Sequence, residues 1–464
     1  MTTAEHYDAI LIGAGQANNP LSRALAQAGW TVALVEREHV GGTCVNEGCT
    51  PTKTMVASAR VSHLARRAPE YGIVTGPPAT DITRVRERKR AIVESFRAGS
   101  RRRVENTPGV DLLMGEARFA GPKLVDVELN DGSQHRLIAD RVFINVGQRP
   151  RVPDLPGLED VPSLDSTTIM ELDTVPEHLL VLGGGYVGVE FAQMFRRFGS
   201  EVSVVQRSGQ VLTHEDADVA AEVVRILRED GIDVLLNSEA LDVKEDVNGD
   251  IQLRVRIPES ERVVSGSHLL VAVGRVPNTE KLNLAVAGIE TDRRGYISVD
   301  QRLETSAPGV YALGDVNGGP AFTHVSYDDY RVVRANLLDG GDATTEHRLV
   351  PYVVFIDPQL GGVGLTERQA DRQSRDVKVA KMPMSWVARA LEVDETRGLL
   401  KVIVDADTDR ILGAAILAVE GGEVMTILQM AMMGDLPYTV LRDAVFAHPT
   451  LAESLNNLFA KLDE

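Results

Sequence analysis

The sequence predicts an α/β protein with two nucleotide-binding units of strand–turn–helix–strand plan and a third, α+β domain towards the C-terminal end. Three observations predict it. A glycine turn ends an apolar run at Gly13-Ala-Gly15, and the same plan returns at Gly183-Gly-Gly185. Proline-rich stretches near residues 150 and 277 mark seams in the chain. From about Arg348 the pattern changes to strands followed by a long apolar helix. At 464 residues the chain is also too long for one ordinary core.

In the first unit Tyr7 to Ile12 is an apolar run, Leu21 to Ala28 is helix-like, and Thr31 to Val35 is β-branched and apolar. In the second, His178 to Leu182 and Glu201 to Val205 flank a helix running through Phe198. Arg149-Pro150-Arg-Val-Pro153-Asp-Leu-Pro156-Gly157 reads as a linker, because each proline biases its predecessor away from helix. Val273-Gly-Arg-Val-Pro277-Asn278 reads as the return linker. The expected division is therefore 1–150 and 274–346 for the two segments of a first nucleotide domain, 151–273 for a second, and 347–464 for the C-terminal domain. The last is expected to hold strands Val353 to Ile356, Leu400 to Asp405 and Ile411 to Ala418, and a helix from Glu423 to Met433.

Hydrophobic residues make up 43% and charged residues 25%, the balance of a soluble globular protein. The formal net charge of -18 repels nucleic acid and anionic membrane, so neither is expected as a partner. Arg84 to Arg103 runs the other way and reads as a solvated basic helix face, with an anion-docking surface as the alternative. The opening Met1-Thr-Thr-Ala-Glu-His lacks a basic stretch followed by an apolar one, and no apolar run reaches the ~18 residues of a membrane span. A cytoplasmic location is expected.

The first fingerprint is Gly13-x-Gly15-x-x-Asn18. Its glycines permit a tight turn and a close approach of backbone N–H groups to a pyrophosphate at the positive end of the following helix. Glu36 ends the second strand, where a carboxylate accepts hydrogen bonds from ribose hydroxyls. Asn18 stands where a third glycine packs helix against strand, which predicts a local shift of the helix. The second fingerprint, Gly183-x-Gly185-x-x-Gly188, is complete. The same number of positions separates Gly13 from Glu36 and Gly183 from Gln206. At the second site Gln206-Arg207 replaces the acidic residue. A carboxylate there would repel a 2′-phosphate, and an arginine favours NADPH; the alternative is that Arg207 is a surface residue. Two such units imply two nucleotide cofactors.

Cys44 and Cys49 are the only cysteines. A secreted scaffold spreads cysteines as staples, and a structural zinc site wants four Cys or His ligands. A disulfide between these two closes a very short loop and adds little constraint to the unfolded chain. The pair points to redox chemistry: a reactive thiolate that attacks a disulfide or binds a soft metal. His448 and Glu453 suit proton transfer. Imidazole titrates near neutrality, and a carboxylate on one nitrogen fixes its tautomer.

Taken together, Gly42-Thr43-Cys44-Val-Asn-Glu-Gly-Cys49-Thr-Pro-Thr-Lys53, a turn at Gly115-Glu-Ala117, Gly274-Arg275-x-Pro277-Asn278, Ala312-Leu-Gly314-Asp315 and His448-Pro449-Thr450-x-x-Glu453 resemble the class I pyridine nucleotide–disulfide oxidoreductases. That family includes glutathione reductase, dihydrolipoamide dehydrogenase and mercuric reductase. The resemblance covers nearly the whole chain. It implies two Rossmann-like domains, for FAD and NAD(P)H, and a C-terminal dimerisation domain. It implies a route from NAD(P)H to FAD, to the cysteine disulfide and on to the acceptor. Cys44 then resembles the interchange thiol and Cys49 the thiol against the flavin. Lys53 and Glu190 resemble the ion pair beside the flavin's reactive nitrogen, and Tyr186 the gate over the nicotinamide. Gly13, Gly15, Glu36, Gly42, Thr43, Lys53, Ala117, Gly147, Asp315 and Thr323 fall at FAD-contacting positions. Gly183, Gly185, Tyr186, Gly188, Glu190, Gln206, Arg207, Gly274 and Arg275 fall at NAD(P)H positions. In relatives the His–Glu dyad serves the other subunit's cysteines, which implies a homodimer.

Departures narrow the choice within the family. The sequence shows no C-terminal cysteine pair and keeps His448, unlike mercuric reductases, so dedicated mercury reduction is not expected, although two thiolates still suit soft metals. Gln206 stands where dihydrolipoamide dehydrogenases carry Glu. The segment Phe322-Thr-His-Val-Ser-Tyr-Asp-Asp329-Tyr-Arg331 is similar to the subgroup linked to reactive-chlorine resistance and copper(II) reduction. His324, just beyond the flavin motif, reads as a satisfied histidine near the flavin or as a metal or proton ligand near the dithiol. No structural metal is expected. The function expected is FAD-dependent reduction by NADPH, with NADH as the alternative donor, of a copper(II)- or mercury(II)-type ion or of a small disulfide. A dihydrolipoamide dehydrogenase-type or low-molecular-weight disulfide reductase is the second enzyme reading. A flavin-binding redox sensor of little turnover is the alternative from another class, and the dyad argues against it because a sensor needs no proton shuttle.

Overall fold

The computed structural model describes residues 4–463, which form two compact units. The first comprises the chain as far as Thr54, then Arg84–Arg151 and Arg275–Arg348. Its sheet is centred on Glu5–Ile12, which runs parallel to Val32–Glu36 on one side and to Gln134–Ile144 on the other. Gln134–Ile144 shares its far edge between Leu124–Leu129 at its start and Val310–Ala312 at its end.

The uninterrupted apolar runs in these central strands follow from their burial on both faces. Side chains alternate across the sheet. Ile10, Ile12, Ala33, Val35, Val142 and Ile144 enter one core, and Ala9, Leu11, Val32, Leu34 and Phe143 enter the other.

The strand Val110–Gly121 corrects the expectation of a turn at Gly115-Glu-Ala117. It pairs in parallel with Val32–Glu36 up to Met114, then antiparallel with Leu124–Leu129 from Gly115 onward. A Cβ at Gly115 would stand 2.3 Å from the Glu128 carbonyl oxygen, so the glycine allows the partner exchange inside one continuous strand. The basic stretch lies on the helix Ile82–Glu105, where Arg97 donates to Asn46 Oδ1 and Arg101 pairs with Glu105.

The second unit holds a five-stranded parallel sheet in the order Asp233–Leu235, Glu201–Val205, His178–Leu182, His268–Val271, Ser163–Leu164. An antiparallel three-stranded sheet spans Glu239–Glu245, Ile251–Ile257 and Ser260–Gly266. The C-terminal segment forms a five-stranded antiparallel sheet in the order Tyr352–Val354, Gln359–Gly364, Ile411–Ala418, Leu399–Asp405, Val377–Pro383. The helix Gly421–Met433 packs on it so closely that a Cβ at Gly361 would stand 2.6 Å from the Gly421 carbonyl oxygen.

Residues 55–83, placed by the sequence in the first domain, group instead with this second unit. Their side chains explain it. Arg60 pairs with Glu420 at 2.8 Å, Ser62 donates to the Arg197 carbonyl, and Arg67 holds Asp394. Among the described residues no helix is long and apolar enough to cross a membrane.

Candidate active site

The first fingerprint loop is built of backbone because nothing larger fits. A Cβ at Gly13, whose φ is +87°, would stand 2.5 Å from the Asn145 carbonyl oxygen, and one at Gly15 would stand 2.4 Å from Asn145 Oδ1. A Cβ at Gly42 would meet Gly15 Cα at 2.8 Å. Glu36 closes the loop by accepting the Ala14 N–H at 2.8 Å on Oε2, and its Oε1 accepts the Glu38 N–H at 2.9 Å. This side-chain-free cradle at a helix start, with a carboxylate at the next strand end, fits the pyrophosphate and ribose of FAD.

Asn18 does what the absent glycine does elsewhere, by other means. It is fully buried and begins the helix Asn18–Gln27, and its Nδ2 donates to the carbonyls of Gly13 at 2.9 Å and Phe143 at 3.1 Å. This helix begins at the sixth position of its fingerprint, and the matching helix of the second unit begins at Tyr186, the fourth position of its own.

Cys44 sits in the short helix Gly42–Asn46, and Cys49 opens the helix Cys49–Arg67. Both are thiols here; Cys44 is half-buried and Cys49 exposed. A hydrogen bond with Cys49, and then burial, push the Cys44 thiol well above its ordinary range, while Thr323 and the Lys53 ammonium work against them. Cys49 Sγ lies 3.4 Å from Thr323 Oγ1, and Lys53 stands one turn further along the same helix. Thr43 accompanies Cys44, and a Cβ at Gly147 would come within 3.9 Å of its Oγ1. Ala117 is buried on its strand.

Asp315 is raised above the usual carboxylate range by burial, opposed by the Arg275 guanidinium and reinforced by negative charge at Cys49. Arg275 lies in this first unit, where it donates to the Gln148 carbonyl at 2.7 Å. His324 is exposed and stacks on Phe322, with ring centres 5.2 Å apart.

In the second unit a Cβ at Gly183, φ +107°, would stand 2.4 Å from the Ala272 carbonyl oxygen, and one at Gly188 would stand 2.0 Å from that of Gly183. Above Gly185, by contrast, no described atom lies within 4 Å of a Cβ position, and the same holds at Gly274. The loop is thus packed below and open above, which fits a nucleotide pyrophosphate. Gln206 repeats the device of Glu36 with an amide: its Oε1 accepts the Gly184 N–H at 2.9 Å and its Nε2 donates to the Gln210 carbonyl at 3.1 Å. Arg207 is exposed and has no side-chain partner among the described residues. Glu190 is buried and accepts the Phe355 N–H at 2.8 Å. Near the C-terminal end, His448 Nδ1 lies 2.9 Å from both Glu453 oxygens. The carboxylate thereby orients the imidazole and leaves Nε2 on the side away from Glu453.

Two positions escaped the sequence reading. Asn145 is a buried clasp: Oδ1 accepts the N–H groups of Ala17 at 3.2 Å and Asn18 at 3.3 Å, and Nδ2 donates to the Leu313 carbonyl at 2.6 Å. It joins the first fingerprint to the Gly314-Asp315 motif. The only sequence signal was an asparagine where an apolar strand ends. Asp329 is the second. Its buried Oδ2 accepts the Gly314 N–H at 2.7 Å, and Arg348 Nη2 lies 2.7 Å from its Oδ1 as an ionic contact. Gly314 has φ +70°, so this bond fixes a turn only glycine adopts readily. Asp329→Asn is expected to raise the FAD dissociation constant about tenfold, by loss of a charge-assisted bond to the motif. Reconstitution of apoprotein followed by flavin fluorescence checks it; unchanged FAD affinity would count against this role.

The fold and these sites define an oxidoreductase with two nucleotide-binding loops and a pair of closely spaced thiols. The chain belongs to the pyridine nucleotide-disulphide oxidoreductases, a family that uses FAD and NAD(P)H. Residues 7–329 match that family and residues 350–459 match its dimerisation domain. The chain is 40% identical over 458 residues to the probable pyridine nucleotide-disulfide oxidoreductase RclA of Escherichia coli (strain K12), covering 98% of this chain and 99% of that one. It is 36% identical to a mercuric reductase of Streptomyces lividans, over 97% and 94% of the two chains. A dihydrolipoyl dehydrogenase of Thermus scotoductus is 35% identical, over 97% and 96%. Among solved structures, the Cu(II) complex of the HOCl-induced flavoprotein disulfide reductase RclA from Escherichia coli superposes with a TM-score of 0.89 at 39% identity, covering 98% and 99%.

Proposed function

We propose that the protein takes electrons from NADPH and passes them through Cys44 and Cys49 to a copper(II)- or mercury(II)-type ion or to a small disulfide. The observation that carries this is the pair itself: two thiols in hydrogen-bonding contact, the second at the positive end of a 19-residue helix that favours negative charge on its sulfur. Likeness to RclA, solved as a Cu(II) complex, supports copper(II) as the first acceptor to test. FAD, when bound, supplies two-electron transfer between NAD(P)H and a disulfide.

With a disulfide acceptor, deprotonated Cys44 Sγ attacks one sulfur and expels the other as a thiolate. Cys49 Sγ then attacks Cys44 Sγ, closing the Cys44–Cys49 bond and expelling the second thiol. The two cysteine protons go to the two product thiols, and Nε2 of the partner subunit's His448 carries one. With a metal acceptor, two copper(II) ions gain one electron each, or one mercury(II) gains two. The Cys44–Cys49 bond forms and two protons leave to water. The dimerisation domain supports the homodimer that this proton route needs. A cytoplasmic site, where thiols are kept reduced, suits the chemistry.

Anaerobic NADPH oxidation with copper(II), mercury(II) and a panel of disulfides in parallel tests the assignment. Turnover on a metal ion that disappears in Cys44→Ser supports the metal-reducing reading. Turnover on one disulfide, with metals inert, moves it to the disulfide reductases. Equal turnover with and without Cys44 removes the dithiol route.

NADPH preference rests on exposed Arg207 and on an uncharged Gln206 that leaves a 2′-phosphate unopposed. Arg207→Ala is expected to raise the NADPH KM about tenfold while sparing NADH. An equal change for both donors would rule out a 2′-phosphate contact.

A further inference from the structure

Beside the second fingerprint lies a polar cluster that the proposed chemistry does not use. Tyr186 begins the helix Tyr186–Phe198, between Gly185 and Gly188. Its hydroxyl donates to Glu215 Oε1 at 3.4 Å. The Tyr352 hydroxyl bridges both oxygens of the same carboxylate, at 2.7 Å and 2.8 Å. The Tyr186 and Tyr352 rings stack with centres 5.9 Å apart, 25° from parallel. Glu215 is 1% exposed.

Its platform is rigid. The Leu212 N–H donates to the Gly184 carbonyl at 2.9 Å, the Glu215 N–H to that of Leu212 at 2.8 Å, and Gln210 Nε2 to that of Glu215 at 3.1 Å. Tyr352 is housed by Gly362, where a Cβ would stand 2.2 Å from its ring. A buried carboxylate is costly unless bonded. Here two tyrosines bond it, one tightly and one at the long limit of a hydrogen bond.

We infer that Glu215 and Tyr352 form a latch on Tyr186: they hold its ring over the nucleotide loop, and nicotinamide binding opens the long Tyr186–Glu215 bond while the Tyr352–Glu215 bond stays closed. The inference rests on the reading of Tyr186 as the nicotinamide gate. Glu215 and Tyr352 are positioning residues, acting through Tyr186. The groups facing Glu215 are the two tyrosines, Asp216 and Arg368, and exposed His214 precedes it in the chain. Burial pushes Glu215 up to about 6, against the tyrosine hydrogen bonds. The latch is charged and strongest above that pH, and it weakens as pH falls through it.

The test uses FAD-loaded enzyme. NADP+ affinity is read from the perturbation of flavin absorbance between pH 5 and 8.5, as the ratio of variant to wild type, which cancels titration of the nucleotide's own phosphate. At pH 8, Glu215→Gln is expected to tighten NADP+ binding about threefold to tenfold, and the ratio to return to one near pH 5. In a Tyr186→Phe background, which keeps the ring and removes the hydroxyl, Glu215→Gln should change nothing further. Tyr186→Phe alone should reproduce the tightening and its loss at low pH, so the test survives a Glu215 variant that does not fold. A ratio of one at every pH, or an equal effect in both backgrounds, overturns the latch. Tyr186→Ala separates the two ideas. If it leaves single-turnover flavin reduction and NADP+ affinity as in wild type, the gate reading has failed. If it changes them while Glu215→Gln does not, the latch has failed.

Discussion

Cys44→Ser and Cys49→Ser are each expected to lower acceptor turnover about a thousandfold or more while leaving anaerobic, single-turnover reduction of the bound flavin by NADPH within about threefold of wild type. The two variants differ in what remains. In Cys49→Ser the Cys44 thiol loses the hydrogen bond that most strongly raises it, so it titrates lower and reacts faster with an alkylating reagent at neutral pH. In Cys44→Ser the remaining sulfur is the exposed one that opens the helix and touches Thr323. Stopped-flow absorbance with and without acceptor checks both halves. Acceptor turnover surviving in Cys44→Ser would end the dithiol mechanism, and loss of flavin reduction in both variants would show a defect upstream of the cysteines.

The second large effect concerns His448. His448→Ala is expected to lower kcat by about 10²- to 10⁴-fold with a disulfide acceptor, the usual scale of a lost proton shuttle. With copper(II) or mercury(II) the fall should be much smaller, because a metal ion takes electrons and needs no proton delivered to it. The ratio of the two effects reports the acceptor class independently of which compound turns over fastest. Glu453→Gln should cost less, about tenfold, since it removes the orienting charge at Nδ1 and leaves Nε2 in place. Steady-state kcat against pH for both variants checks this. An equal loss on metal and disulfide acceptors would mean that His448 holds structure rather than protons.

Both nucleotide loops, the cysteine segment and the His–Glu dyad were legible because each is local: a turn that only glycine permits, or a pair five positions apart in the chain. The 55–83 segment was misplaced because its affiliation is decided by single side chains reaching distant ones, such as Arg60 to Glu420 and Ser62 to the Arg197 carbonyl, and sequence separation hides such partners. Gly115 misled for a related reason. A glycine between strand-forming residues reads as a break, yet here it lets one strand pass from a parallel to an antiparallel neighbour. Asn145, Asp329 and Glu215 were invisible as functional residues. An asparagine or a carboxylate on a helix or in a loop is ordinary until the structure shows which backbone N–H or phenol it faces.

The first unit is threaded from three separated stretches of chain, and this has a consequence during synthesis. Its sheet receives its last strand, Val310–Ala312, and its clasped turn at Gly314 only after the whole of Val152–Gly274 has been made. The intervening stretch, by contrast, contains every strand of its own parallel sheet and can order as it leaves the ribosome. The half-made flavin cradle therefore waits, with one sheet edge open, for a pairing far along the chain. The flavin cradle is thus completed late in synthesis, and until then its unpaired strand edge is open to pairing with other chains.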